Sequence, residues 1–165
     1  MLSCGAVSPE DTRAIAAALA SLAQPGDLVL LVGEMGAGKT VFAQGFGRGL
    51  GVLDPVTSPT FTLVRHHEGR LLFHHIDVYR LDRLDQVLDL GLSELLDAGG
   101  VTLIEWGDVV LPVLPHEYLE VRINVIGEDL DESGAQPRSL EIREVGTRWT
   151  KRSSEVAQAL GAWRC

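Results

Sequence analysis

After Ser8 the apolar residues return every three or four positions. Ile15, Leu19 and Leu22 make one stripe, which predicts a helix ending at Pro25-Gly26. Its start is marked as well: Ser8 can cap, Pro9 suits the first turn, and Asp11 holds the capping-box position. Asp27–Val32 then reads as a short strand apolar on both faces, as in a parallel sheet. A glycine-rich turn follows, and Phe42, Phe46 and Leu50 recur at i, i+4 in a second helix from about Gly38 to Leu50. That helix is weak on propensity, because Gly45, Gly47 and Gly49 each cost roughly 1 kcal/mol against Ala. Small residues between large ones would allow close approach to a neighbour.

Pro55–Pro59 reads as a loop. Phe61–Arg65 and Arg70–Tyr79 read as two strands joined by a turn at His66-His67-Glu68-Gly69, an antiparallel hairpin. Leu81–Ala98 carries apolar residues at helical spacing, predicting two short helices broken near Gly91, and Val101–Glu105 is another buried strand. Tyr118–Ile126 alternates, with Leu119, Val121, Ile123 and Val125 on one face and Glu120, Arg122 and Asn124 on the other. This predicts a half-exposed antiparallel strand. Gly127–Arg138 is an acidic loop, Ser139–Val145 a further strand, and Ser153–Trp163 a terminal helix in the tail 146–165. No internal repeat or long linker divides the chain, so residues 1–165 are read as a single domain.

Composition narrows the function classes. Hydrophobic and charged contents of 45 % and 22 % suit a soluble globular protein, and a net charge of −9 argues against unaided binding to nucleic acid. Cys4 and Cys165 are too few for a disulfide scaffold. Met1–Pro9 has neither the basic nor the apolar region of a secretory signal, and the longest apolar run, Leu28–Val32, is too short for a membrane span. A cytoplasmic protein without membrane contact is therefore expected.

The sharpest chemistry lies between the first strand and the helix that follows it. Gly33-Glu34-Met35-Gly36-Ala37-Gly38-Lys39-Thr40 satisfies G-x-x-x-x-G-K-[ST] in full. Glycines let backbone N–H groups turn towards phosphate oxygens, and the helix N-terminus adds its positive end. Lys39 brings a charge to the β- and γ-phosphates, and the Thr40 hydroxyl can ligate Mg²⁺. Lys39 is one of two lysines beside twelve arginines, as if a compact ammonium were needed there. The expected ligands are ATP and Mg²⁺, with Met35, Gly36, Ala37, Gly38, Lys39 and Thr40 as binding residues. No N-K-x-D guanine motif is present, which favours ATP over GTP.

Such a site needs an acid at the end of a nearby strand, where ligands sit in open α/β sheets. Asp77 and Glu105 are the candidates, although either could be an ordinary strand-end carboxylate in solvent. Thr60, in Ser58-Pro59-Thr60, could approach the γ-phosphate or simply form a turn. His74 and His75 point to opposite faces of their strand and cannot form one bidentate site. His75, Asp77 and Tyr79 share a face. The fold class expected is α/β, a P-loop NTPase-like three-layer α/β/α arrangement with a mixed, mainly parallel central sheet plus antiparallel strands.

Four segments in order resemble one family: Gly33–Thr40, Val56–Val64, His75-Ile76-Asp77-Val78-Tyr79-Arg80-Leu81 and Ile104-Glu105-Trp106. Together they are similar to the TsaE (YjeE) family over about Thr12 to Val125. The departures are Glu34-Met35, where Asp-Leu is usual, and Ile76, where an aromatic is common. The resemblance implies a small bacterial ATPase needed for N6-threonylcarbamoyladenosine at adenosine 37 of tRNAs reading ANN codons. It implies action with TsaB and TsaD, TsaD transferring the carbamoyl group and contacting the tRNA, with ATP hydrolysis resetting the complex. It further implies that Thr40 and Glu105 hold Mg²⁺, that Asp77 lies near the γ-phosphate, and that Thr12 lies near the adenine. Lys39, Asp77, Glu105 and Thr60 are then the expected catalytic residues, with activity weak alone and stimulated by TsaB–TsaD. Two other readings stay open: a non-catalytic nucleotide-sensing regulator, and a P-loop kinase acting on a small molecule.

Overall fold

The computed structural model describes residues 1–59, 62–79, 89, 91–127 and 136–164. Seven strands form one sheet: β1 Leu2–Ala6, β2 Leu28–Val32, β3 Val64–His67, β4 Phe73–Asp77, β5 Val101–Glu105, β6 Tyr118–Val125 and β7 Arg138–Val145. Their order is β1-β7-β6-β2-β5-β4-β3. The middle four, β6, β2, β5 and β4, run parallel, while β7, β1 and β3 pair antiparallel at the flanks. This is the mixed α/β sheet expected, with its parallel strands confined to the centre.

Strand β2 is buried over its whole length, and its side chains alternate between two cores. Val29 and Leu31 point to one side, Leu28 and Leu30 to the other. On the first side lie helices α1 Pro9–Ser21, α2 Lys39–Gly49, α4 Thr147–Thr150 and α5 Ser153–Ala159. On the second lie α3 Leu92–Asp97 and two 3₁₀ turns, Gly107–Val109 and Leu111–Val113. Helix α1 begins as its sequence says. Ser8 Oγ accepts from Asp11 N at 3.1 Å, and Asp11 Oδ2 accepts from Ser8 N at 2.9 Å.

The glycines of α2 have a specific use. A Cβ on Gly45 would stand 2.3 Å from Arg13 O, and one on Gly49 would stand 2.6 Å from Ala17 O. Helices α1 and α2 thus meet backbone to backbone, and the propensity lost in α2 is the condition of that packing. Gly45→Ala is therefore expected to destabilise the protein by about 2 kcal/mol, against the helix-propensity gain, because well-packed elements must part. Gly161→Ala, where a Cβ meets nothing, is the control and should stay within about 0.5 kcal/mol in urea unfolding.

Three expectations need correction. Tyr118–Ile126 is not a half-exposed antiparallel strand. As β6 it is central, antiparallel to β7 but parallel to β2, and Glu120 on its polar face is buried. His66 and His67 are not turn residues; they belong to β3, facing His74 and Phe73 across the hairpin. The N-terminal residues form β1, which no sequence pattern announced. The tail packs against the first core through Trp149, Val156 and Leu160. The first helix expected within Leu81–Ala98 lies outside the described residues. Among those residues, no helix is long and apolar enough to cross a membrane.

Candidate active site

The parallel strands end together, and their C-terminal ends open a cavity of about 440 Å³. Its lining comes from the loop and α2 (Met35, Gly36, Gly38, Lys39, Thr40, Val41), from Ser58, and from the ends of β4 and β5 (Asp77, Tyr79, Glu105, Trp106). The loop leaves β2 at Gly33, where a Cβ would stand 2.5 Å from Ile123 O on β6. Gly36 and Gly38 have φ of 77° and 111°, a region side chains other than glycine rarely adopt. A side chain at either would meet nothing, so conformation sets these two glycines, whereas both conformation (φ 155°) and space set Gly33.

Lys39 is 5 % exposed. Its Nζ donates to Gly33 O and Glu34 O, both at 2.7 Å, and lies 3.6 Å from the centre of the Trp106 ring. Burial pulls its pKa below the usual lysine range, while Glu105, Asp77 and Asp108 push it back up. Trp106 reaches the ammonium because the chain turns at the end of β5 through a positive φ of 64°, sparsely used by large residues. Its ring also meets Tyr79 at 4.7 Å between centroids.

Asp77 and Glu105 are register partners on β4 and β5. They are 4 % and 2 % exposed, which removes the reading of either as a solvated strand-end acid. Thr40 Oγ1 donates to the Glu105 carboxylate at 3.1 Å, and His75 Nε2 lies 2.8 Å from Glu105 Oε1. With Nδ1 of His75 buried and unpartnered, Nε2 is the nitrogen placed to donate. Ser58 Oγ donates to Asp77 Oδ2 at 2.9 Å, and Tyr79 N donates to Asp77 Oδ1 at 2.9 Å.

The donor set fits Mg²⁺. A hydroxyl and a carboxylate stand in contact beside a second carboxylate, all hard oxygen ligands. Among the described residues no three His, Cys, Asp or Glu converge to hold a metal ion by themselves. Mg²⁺ sites commonly use one or two carboxylates together with substrate phosphates, and Asp77 and Glu105 supply two carboxylates at one cavity.

The structure thus brings Met35, Gly36, Gly38, Lys39, Thr40, Asp77 and Glu105 to one cavity. Ala37 is buried within the loop, where only its backbone can serve a ligand. Thr12 is buried in α1 and does not line this cavity. Thr60 lies outside the described residues; among the described residues Ser58 donates a hydroxyl to Asp77. The sequence alone assigns no partner to Ser58 or Trp106; the fold brings them to Asp77 and Lys39. His75 shares a face with Asp77 as its spacing implies, yet its contact is Glu105 on the next strand.

Known proteins resemble the chain over most of its length. A family model described as "Threonylcarbamoyl adenosine biosynthesis protein TsaE" matches residues 6–132. A "tRNA threonylcarbamoyladenosine biosynthesis protein TsaE" of Bacillus subtilis is 40% identical over 153 residues, 92% of this chain and 91% of that protein. One of the same description from Streptomyces coelicolor is 41% identical over 143 residues, 83% of this chain and 93% of that protein. The crystal structure of Bacillus subtilis YdiB superposes with a TM-score of 0.80 at 36% identity, covering 95% of this chain and 94% of that one.

Proposed function

The chain belongs to the TsaE family of threonylcarbamoyl adenosine biosynthesis proteins, and on that footing we propose that it binds and hydrolyses Mg·ATP in the cavity at Gly33–Thr40. The observation that carries this reading is the meeting of Lys39, Thr40, Asp77 and Glu105 at one opening over the parallel strand ends. Thr40 Oγ1 and the Glu105 carboxylate would hold Mg²⁺, which when bound supplies positive charge to the phosphate oxygens. Lys39 faces the β–γ bridge and steadies the negative charge that develops as the bond breaks. Asp77, held from both sides by Ser58 and the Tyr79 amide, orients a water towards the γ-phosphorus. Water oxygen bonds to phosphorus, the bridging oxygen leaves with ADP, and inorganic phosphate is released. His75 keeps the Glu105 carboxylate turned to Thr40.

Positioning and charge do most of the work in phosphoryl transfer, so a site missing a group supplied by a partner turns over slowly. The proposed role is therefore to drive N6-threonylcarbamoyladenosine formation on tRNA by resetting a TsaB–TsaD complex through ATP hydrolysis. A net charge of −9 supports a protein partner here, with RNA gripped mainly by other subunits.

The test is tRNA modification reconstituted from purified partners, with and without this protein and ATP. Multiple-turnover product is expected only with both, and ATPase activity should rise at least about tenfold when TsaB–TsaD is added. Equal turnover with and without the partners would refute the partner dependence. An Asp77→Ala variant that binds ATP without hydrolysing it, yet still supports modification, would assign the role to binding alone.

A further inference from the structure

The geometry points to Arg138 as a positioning residue of the loop Gly33–Thr40, bracing it from outside so that the Gly38 amide faces the cavity. This rests on the nucleotide reading of the cavity, but Arg138 lies beyond the residues matched to the family, 6–132. It opens β7, opposite Val125 on β6 and Ala6 on β1. From there its side chain reaches the loop about a hundred residues earlier in the sequence. Nε donates to Ala37 O at 2.9 Å, Nη2 reaches Gly36 O at 3.5 Å, and Nη1 donates to Gln136 O and to Pro137 O.

The loop's carbonyls show why this matters. Gly33 O and Glu34 O accept from Lys39, Glu34 O also from Ala37 N, and Gly38 O from Phe42 N. Gly36 O and Ala37 O are the two that Arg138 takes. Gly36 and Gly38 have no side chain to anchor this stretch, and the space beside them is open. A trans peptide is planar, so a carbonyl and the N–H of the next residue point in opposite directions. Holding Ala37 O outward on a guanidinium therefore aims Gly38 N–H inward, and Gly38 lines the cavity. Lys39 braces the loop from within and Arg138 from without. Arg138 is a planar fork with several donors, which a lysine cannot reproduce.

The experiment compares wild type with Arg138→Ala, Arg138→Lys and Arg143→Ala. Arg143 is exposed on the same strand and removes an equal charge without touching the loop. The first readout is amide hydrogen exchange in the protein without nucleotide. Arg138→Ala should speed exchange in peptides covering 34–40 about tenfold, Arg138→Lys by less, and Arg143→Ala not at all. The second is ADP affinity, which should fall about tenfold in Arg138→Ala, with KM for ATP raised and kcat within about twofold. Unchanged exchange in folded Arg138→Ala, or equal changes in Arg143→Ala, overturns the brace. Faster loop exchange in a protein whose wild type binds no nucleotide upholds the brace and defeats the nucleotide reading instead.

Discussion

Lys39→Ala is expected to lower ATP turnover by about 10²–10³-fold, in line with removing one preorganised, buried charge from the site. ATP affinity should fall with it, by about 30-fold or more, as expected when one member of a buried, hydrogen-bonded charge contact is truncated. Three features of the structure make the effect large. The ammonium is already desolvated, already held by two carbonyls at 2.7 Å, and capped by the Trp106 ring, so it loses little freedom when it meets phosphate. Lys39→Arg should not rescue, since a planar fork does not fit between two carbonyls and a ring placed for a point charge. Isothermal titration with ADP and ATP, together with steady-state turnover, reads both effects. Unchanged affinity and turnover in Lys39→Ala would end the phosphate-loop reading.

The second large effect lies away from the cavity. Asp27→Ala is expected to cost about 3–5 kcal/mol of stability, because it strands a buried guanidinium. Arg152 Nη1 and Nη2 bond Asp27 Oδ2 and Oδ1 at 2.8 and 2.9 Å, and both residues are buried. Asp27 Oδ2 also accepts from Gln24 N, and the guanidinium lies 4.1 Å from the Trp149 ring. This pair ties the C-terminal helices to the foot of β2, the strand that leads into the loop Gly33–Thr40. For a chain of 165 residues the loss corresponds to roughly 10 °C in Tm. A paired substitution, Asp27→Leu with Arg152→Met, should recover most of it, since a well-packed apolar pair avoids the desolvation of both charges. Thermal unfolding of the two single variants and the pair distinguishes this from a loose, solvated ion pair. Such a pair would give less than about 1 kcal/mol in every case.

Some of this was legible along the chain because it is local. The capping box at Ser8 and Asp11 is a contact across three residues, and the double-faced apolar run of β2 reports its own burial. The loop Gly33–Thr40 carries its geometry in its glycines. Strand ends at Asp77 and Glu105 follow from where apolar residues stop. Strand β1 leaves little trace in the sequence because its buried residues, Cys4 and Ala6, are small and their burial depends on β7. Strand β6 was misread because alternation describes side chains, whereas parallel or antiparallel pairing is settled by neighbours distant in sequence.

The sequence by itself determined the G-x-x-x-x-G-K-[ST] pattern at Gly33–Thr40, several of the elements from the first helix onward, and the residues with the chemistry to act. Each of these is written in neighbouring residues. Tertiary structure alone decided which of them meet. Glu105 touches Thr40 and His75, Asp77 touches Ser58, and Trp106 covers Lys39 because parallel strands in register bring their ends to one edge of the sheet. The hold of Arg138 on the loop and of Arg152 on Asp27 spans more than a hundred residues. Contacts of that range leave no periodicity behind, since their partners are chosen by the fold and not by spacing along the chain.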